Sequence, residues 1–179
     1  MLFKSVLCVA AATGSAWAAP AATESQAACN ANLPIDNFAG FANKTNSLGA
    51  VTGDDKTMGA ISVTGTTLSL TAKAGSYFYE NLPCQDLAAP SGYNALSVKL
   101  GGPAQSSLLL EVQTKTSCNA TAHESTYHNV TVPATAGVVS IPLSDFTGAK
   151  LAITTSLTFS TFNKTGVYTL SDLEFVCGK

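Results

Sequence analysis

The chain contains no arginine, and its nine lysines are scattered singly against eleven acidic residues, leaving a formal net charge of −2. A nucleic-acid binder releases counterions from phosphate through a basic stripe, and none is present, so that class is excluded. No apolar run approaches the roughly 20 residues that a membrane-spanning helix needs, and no hydrophobic tail closes the sequence, so neither a membrane partner nor a glycolipid anchor is expected. Helix-period patterning of useful length is missing, as are heptads and internal repeats. The one tryptophan, Trp17, stands near the N-terminus. C-x-x-C and C-x-x-H spacings are absent too, which removes the common zinc frameworks.

What the first residues do contain is a secretory pattern. Lys4 supplies a positive start, Ser5 to Thr13 a short apolar run, and Ala16-Trp17-Ala18 the small residues read by a signal peptidase. Residues 1–18 are therefore expected to be a signal peptide and 19–28 an Ala, Ser and Thr-rich flexible leader. Residues 29–179 are expected to form a single domain, and a mature chain of about 160 residues is enough for one proper core. The expected location is outside the cell, secreted or in the cell wall.

Removal of Cys8 with the signal leaves Cys29, Cys84, Cys118 and Cys177, which permit two disulfides in three connectivities. Cys29 with Cys177 and Cys84 with Cys118 is the preferred set, because it ties a first strand to a last strand and closes the longest loop. Four N-glycosylation sequons, at Asn43, Asn119, Asn129 and Asn163, fit the same compartment. Any glycans they carry are expected to mark faces that are not the binding surface.

The body of the chain alternates with period two. Ile61-Ser62-Val63 and Leu68-Ser69-Leu70 flank a Gly65 turn. Leu96, Val98 and Leu100 oppose Ser97 and Lys99, and Leu108, Leu110 and Val112 oppose Glu111 and Gln113. Such patterning gives strands with one buried and one wet face. About ten short strands without a long helix make an all-β, two-sheet antiparallel β-sandwich the expected class. Ala42 to Gly53 reads as a long loop, Asp86 to Ala89 as a single helical turn, and Leu143 to Phe146 as a turn capped by Ser144.

Ile35-Asp36-Asn37-Phe38, Asn46-Ser47-Leu48-Gly49, Thr52-Gly53-Asp54-Asp55, Ser76-Tyr77-Phe78-Tyr79-Glu80 before Cys84 and Asp86, Ile141-Pro142-Leu143-Ser144-Asp145-Phe146 and Leu173-Glu174-Phe175-Val176-Cys177 carry a resemblance. Over nearly all of the mature chain the sequence resembles small secreted fungal proteins. These are similar to galactose-binding-like jelly rolls, including the complex I intermediate-associated protein domain and several carbohydrate-binding modules. The resemblance implies a jelly roll with adjacent termini, often a structural calcium, in some relatives glycan binding, and no enzyme. A departure is that such modules commonly stack sugars on tryptophan, which the mature chain lacks.

Three constellations remain. Tyr77 and Tyr79 share one strand face and offer a platform about 7 Å long for a sugar ring, while Phe78 and Glu80 share the other face. Parity leaves both assignments open, and the competing reading is that the exposed-looking face is core. Asp54 and Asp55, with Asp36 or Asp172, offer oxygens for calcium, although no EF-hand spacing is present. The alternative is a turn cap beside a solvated carboxylate. His123 and His128 are five apart in a β-forming segment and do not match the helical zinc motif.

For a glycosidase, Glu80 and Glu111 are the natural carboxylates, but strand alternation already accounts for both. No G-x-S-x-G nucleophile turn occurs. The expectation is a non-catalytic module that binds a wall or external polysaccharide through Tyr77, Tyr79, Glu80, Asp54 and Asp55. The alternatives are a structural wall component or effector that binds protein and no sugar, and then a weak glycosidase.

Overall fold

A computed structural model describes residues 28–133 and 135–178. The expected signal peptide, with Cys8 and Trp17, and residues 19–27 of the leader lie outside the described residues. Eleven strands follow in order among the described residues: β1 Leu33–Asp36, β2 Thr52–Gly53, β3 Ala60–Thr64, β4 Thr67–Ala72, β5 Tyr77–Gln85 and β6 Tyr93–Gly101. The second half adds β7 Ser107–Thr114, β8 Glu124–Thr131, β9 Gly137–Pro142, β10 Thr154–Ser160 and β11 Gly166–Cys177. Among the described residues, helix is confined to four single 3-10 turns.

The strands form two antiparallel sheets. One is ordered β3-β4-β11-β6-β9, with β1 also paired to β11, and the other is ordered β2-β5-β10-β7-β8. The fold is thus an all-β sandwich, as the alternation predicts, and of the jelly-roll kind that the resemblance implies. Leu68, Leu70, Leu96, Val98, Leu100, Leu170 and Phe175 from the first sheet meet Phe78, Leu108, Leu110, Val112, Leu157 and Phe159 from the second. Phe78 is the hub on the second sheet, with ring centroids 6.3 Å from Phe38, 6.1 Å from Phe41 and 6.5 Å from Phe159. Tilted packing at these separations adds to the area that each ring buries.

First and last strands are neighbours, with Leu33 opposite Phe175, and Cys29 is bonded to Cys177 at the end of that pairing. The second disulfide joins Cys84 to Cys118. Its strand is irregular there. Between Asn81 and Gln85 the register of β5 against β10 slips, and Cys84 adopts φ 56°. A bulge re-aims a strand end, and here it turns Cys84 toward the β7–β8 connection.

Local expectations meet mixed outcomes. The β3–β4 hairpin turns at Gly65, with φ 61°, as its sequence demands. The helical turn expected at Asp86 to Ala89 lies instead at Ala89–Ser91, where Pro90 presets φ and Ser91 Oγ donates to Ala88 O at 2.7 Å. Ser144 is not a cap. It sits inside the turn Leu143–Asp145, whose N-cap is Pro142, and no side-chain cap bond forms.

The long loop after β1 is ordered around Asn46. Its Oδ1 accepts from Leu48 N and Ala50 N, and its Nδ2 donates to Asn81 O at 2.8 Å. This pins the loop to β5 and brings β2 alongside it.

Candidate binding face

Because β5, β10, β7 and β8 are in register, side chains of one parity form a lattice on the outer face of the five-stranded sheet. Tyr77, Ser160, Leu109 and Asn129 make one row across the strands. Tyr79, Thr158, Glu111 and Tyr127 make the next, and Asn81, Ser156, Gln113 and Ser125 the third. The central strand β10 contributes only Ser, Thr and Ser, whereas β5 brings two tyrosines and β7 brings Glu111 and Gln113. A low floor between taller walls is a groove, of about 430 Å³, lined by these residues.

Of the two parity assignments, the one with both tyrosines outward holds. Tyr77 and Tyr79 are half-exposed, while Phe78 and Glu80 are fully buried. The tyrosine rings have centroids 6.4 Å apart and planes inclined by 33°. Both hydroxyls donate to one carboxylate, Tyr77 Oη to Asp55 Oδ2 at 2.8 Å and Tyr79 Oη to Asp55 Oδ1 at 3.2 Å. Asp55 and Lys56 have φ of 49° and 66°, and this left-handed pair turns the Asp55 side chain toward the rings.

Several contacts hold the platform in place. Asp54 closes its own loop by accepting from Met58 N at 3.0 Å, the turn-cap alternative for this residue. Thr57 Oγ1 accepts from Tyr77 N at 3.0 Å and donates to Tyr77 O at 3.1 Å, tying the loop to the start of β5. Gly53 lies opposite Tyr79, and a β-carbon there would stand 3.2 Å from Tyr79 Oη.

The hydrogen bond to Asp55, followed by burial, raises the Tyr77 phenol above its ordinary pKa. Burial and then the Asp55 charge raise that of Tyr79. Both hydroxyls therefore stay protonated. Across the floor, Glu111 Oε1 accepts from Gln113 Nε2 at 2.9 Å and from Ser125 Oγ. The face thus offers aromatic area beside oriented hydroxyl, amide and carboxylate groups.

Glu80 is not a surface ligand, which corrects the expectation. It points between the sheets beside Asp36, and both are essentially without solvent exposure. Asn46 Nδ2 donates to Glu80 Oε2 at 3.1 Å, and Phe38 N donates to Asp36 Oδ1 at 2.7 Å. Asp36 Oδ2 and Glu80 Oε1 are left unpartnered. Burial, then the Asp36 charge, pushes Glu80 up to about 8, and burial also raises Asp36. At neutral pH the pair retains a proton, since two adjacent carboxylates in a low dielectric cannot both ionise cheaply.

Nor does the calcium set assemble. Asp36 is in the core, Asp54 and Asp55 serve the β2–β3 loop, and Asp172 is exposed on an irregular stretch of β11. Among the described residues no group of three or more His, Cys, Asp or Glu is placed to hold a metal ion. His123 precedes β8, while His128 packs on Phe146 with centroids 5.9 Å apart. Glu80 and Glu111 lie on opposite faces of their sheet, so they cannot flank one sugar as a glycosidase pair does.

Tyr127 was not among the expected site residues. It is 54% exposed and stands opposite Glu111 in the row that begins with Tyr79. Its distance from Tyr79 is three strand spacings, roughly 14 Å.

No protein-family model matches the sequence, and no curated protein matches it. Solved structures do resemble its fold. A family 11 carbohydrate-binding module from Clostridium thermocellum, in complex with a β-1,3-1,4-mixed-linked tetrasaccharide, superposes with a TM-score of 0.58 at 17% identity. The match covers 84% of this chain and 98% of that one. A family 30 module of a cellulosomal cellulase of the same organism gives 0.56 at 16% identity, covering 82% and 97%. A family 29 module complexed with cellulohexaose gives 0.53 at 7% identity, covering 82% and 89%. This chain thus shares the β-sandwich architecture of these modules.

Proposed function

We propose that this chain is a secreted, non-catalytic carbohydrate-binding module that takes a polysaccharide strand on the outer face of its five-stranded sheet. The observation that carries this reading is the Tyr77–Tyr79 pair, braced by one carboxylate above a floor of Ser156, Thr158 and Ser160. Tyrosine presents a flat apolar face to the axial hydrogens of a pyranose, and the floor and walls meet its equatorial hydroxyls. Pre-fixing both rings through Asp55 lowers the ordering cost of binding.

The likeness to modules solved with a mixed-linkage tetrasaccharide and with cellulohexaose supports a β-linked glucan as the first ligand to try. The two disulfides support an oxidising, extracellular setting.

Isothermal titration of the full chain with mixed-linkage β-glucan and with cellulohexaose tests the proposal. Binding that is lost in the Tyr77→Ala/Tyr79→Ala double variant, with an unchanged melting temperature, is the expected result. No heat with any neutral or charged glycan would sink it.

A further inference from the structure

The groove does not end at the tyrosines. Along the strands it runs over Asn81, Gln113 and Ser156 into a second cavity of about 440 Å³ at the Cys84–Cys118 disulfide. The charge of the two cavities differs. Glu111 lines the first, and Asp55 braces its tyrosines. The second is lined by Lys115 and His123 and by no Asp or Glu.

Lys115 follows Gln113 on the same side of its chain and lies about 13 Å from Glu111 along the strand direction. It is half-buried, and its backbone N–H donates to Ile153 O at 2.9 Å, which fixes its base. The ion pairs among the described residues are Lys150 with Glu124 and His128 with Asp145, so Lys115 takes part in neither. Glu124, across the ladder from the preceding residue Thr114, is committed to Lys150 at 2.7 Å.

An ammonium has three donors and no acceptor, and covering it with a neutral sugar would strip water from an unanswered charge. A ligand anion removes that penalty. We infer that the second cavity is a subsite for an anionic sugar, a uronate carboxylate or a sulfate ester on the chain held by the tyrosines, with Lys115 as the counter-charge. The inference rests on the proposed glycan reading of the groove. Asn81, Gln113, Thr155 and Ser156 then bind the hydroxyls of the same residue, and the disulfide keeps the cavity wall in place.

The test uses the full chain, with any N-glycans trimmed. Its ligands are three forms of one mixed-linkage β-glucan: neutral, oxidised at C6 to carboxylate, and sulfated to similar charge density. The oxidised or sulfated glucan should bind about fivefold tighter than the neutral one at low salt, the upper range for a partly exposed ion pair. That advantage should shrink as salt is raised and fall to about one in Lys115→Gln. Whichever anionic glucan gains more assigns the group: carboxylate, sulfate, or charge alone if both gain equally.

Equal affinity for neutral and anionic glucans overturns the subsite and leaves the tyrosine groove standing. An anionic preference that survives Lys115→Gln also overturns it. Absence of binding to all three removes both readings. Retention of the anionic glucans by the Tyr77→Ala/Tyr79→Ala variant, with the neutral glucan never bound, keeps the cationic cavity and removes the tyrosine groove.

Discussion

Gly53 and Tyr79 are partners across the β2–β5 ladder, and the absent side chain of the one is the space occupied by the phenol of the other. A β-branched residue at position 53 would push Tyr79 off the Asp55 carboxylate without touching the core. Gly53→Val is therefore expected to weaken binding to β-glucan by about threefold to tenfold, the worth of one aromatic contact. Its melting temperature should stay close to that of the parent. Calorimetric titration beside a thermal melt checks both halves.

Asp55 reports on the same platform through the phenols. Its hydrogen bond is the first cause of the raised Tyr77 pKa, whereas burial is the first cause for Tyr79. In Asp55→Asn the Tyr77 phenol should fall back toward its ordinary value further than that of Tyr79, as read by ultraviolet titration. Asp55→Ala should also reduce retention on a β-glucan gel, because both rings regain rotamer freedom that binding must then remove. Identical titration curves in parent and variant would show that the brace does not form in solution.

The strands were legible because alternation is strict wherever one face is wet, and Leu108 to Gln113 reads without ambiguity. The fate of Glu80 was not. Alternation says only that Phe78 and Glu80 share a face, and a phenylalanine and a glutamate pull that face in opposite directions. Phe78 won because Phe38, Phe41 and Phe159 surround it, while Asn46 and Asp36, distant in sequence, supply polar company for the carboxyl. Tyr127 was missed for a related reason. Its parity within β8 is readable, but its place beside Glu111 depends on the β7–β8 register, which the sequence of either strand does not carry.

That buried pair makes stability depend on pH with a definite sign. Glu80 has a folded pKa of about 8 against an ordinary 4.5, so between those values the folded protein keeps a proton that the unfolded chain has released. Its stabilising contribution is complete below the lower value and is lost as pH rises through the upper one, with Asp36 acting in the same direction. For Glu80 alone the loss is about 5 kcal/mol at most, and it belongs to the pair, which titrates as a unit. Urea midpoints should fall from about pH 5 to about pH 8, and Glu80→Gln should flatten the slope. A stability that climbs over this range in the parent would refute the shared proton.

Loop length ranks the two disulfides. Cys29–Cys177 spans 148 residues and Cys84–Cys118 spans 34, which the chain-entropy relation converts to about 5 and about 4 kcal/mol of lost unfolded-state freedom. Replacing either pair by alanine should destabilise the fold, the first pair more. The second replacement should also loosen the end of the groove, because Cys84 and Cys118 line its second cavity. Denaturant melts rank the stabilities, and affinity for anionic against neutral glucan reads the cavity.

The sequons were expected to mark faces away from the ligand, but the register puts Asn129 on the sheet face proposed to bind it. Asn129 is exposed, stands opposite Leu109, and shares the outer face with Tyr127 two residues earlier. A glycan carried there would overhang the β8 side of the groove, whereas one on Asn43 would leave from the loop after β1. Asn129→Gln is therefore expected to tighten binding of soluble β-glucan relative to the glycosylated parent, and Asn43→Gln to leave it unchanged. Enzymatic deglycosylation of the parent should reproduce the Asn129→Gln affinity. If glycosylated parent and Asn129→Gln bind alike, the bound strand runs along the Tyr77–Tyr79 side and clear of β8, and Tyr127→Ala should then have no effect either.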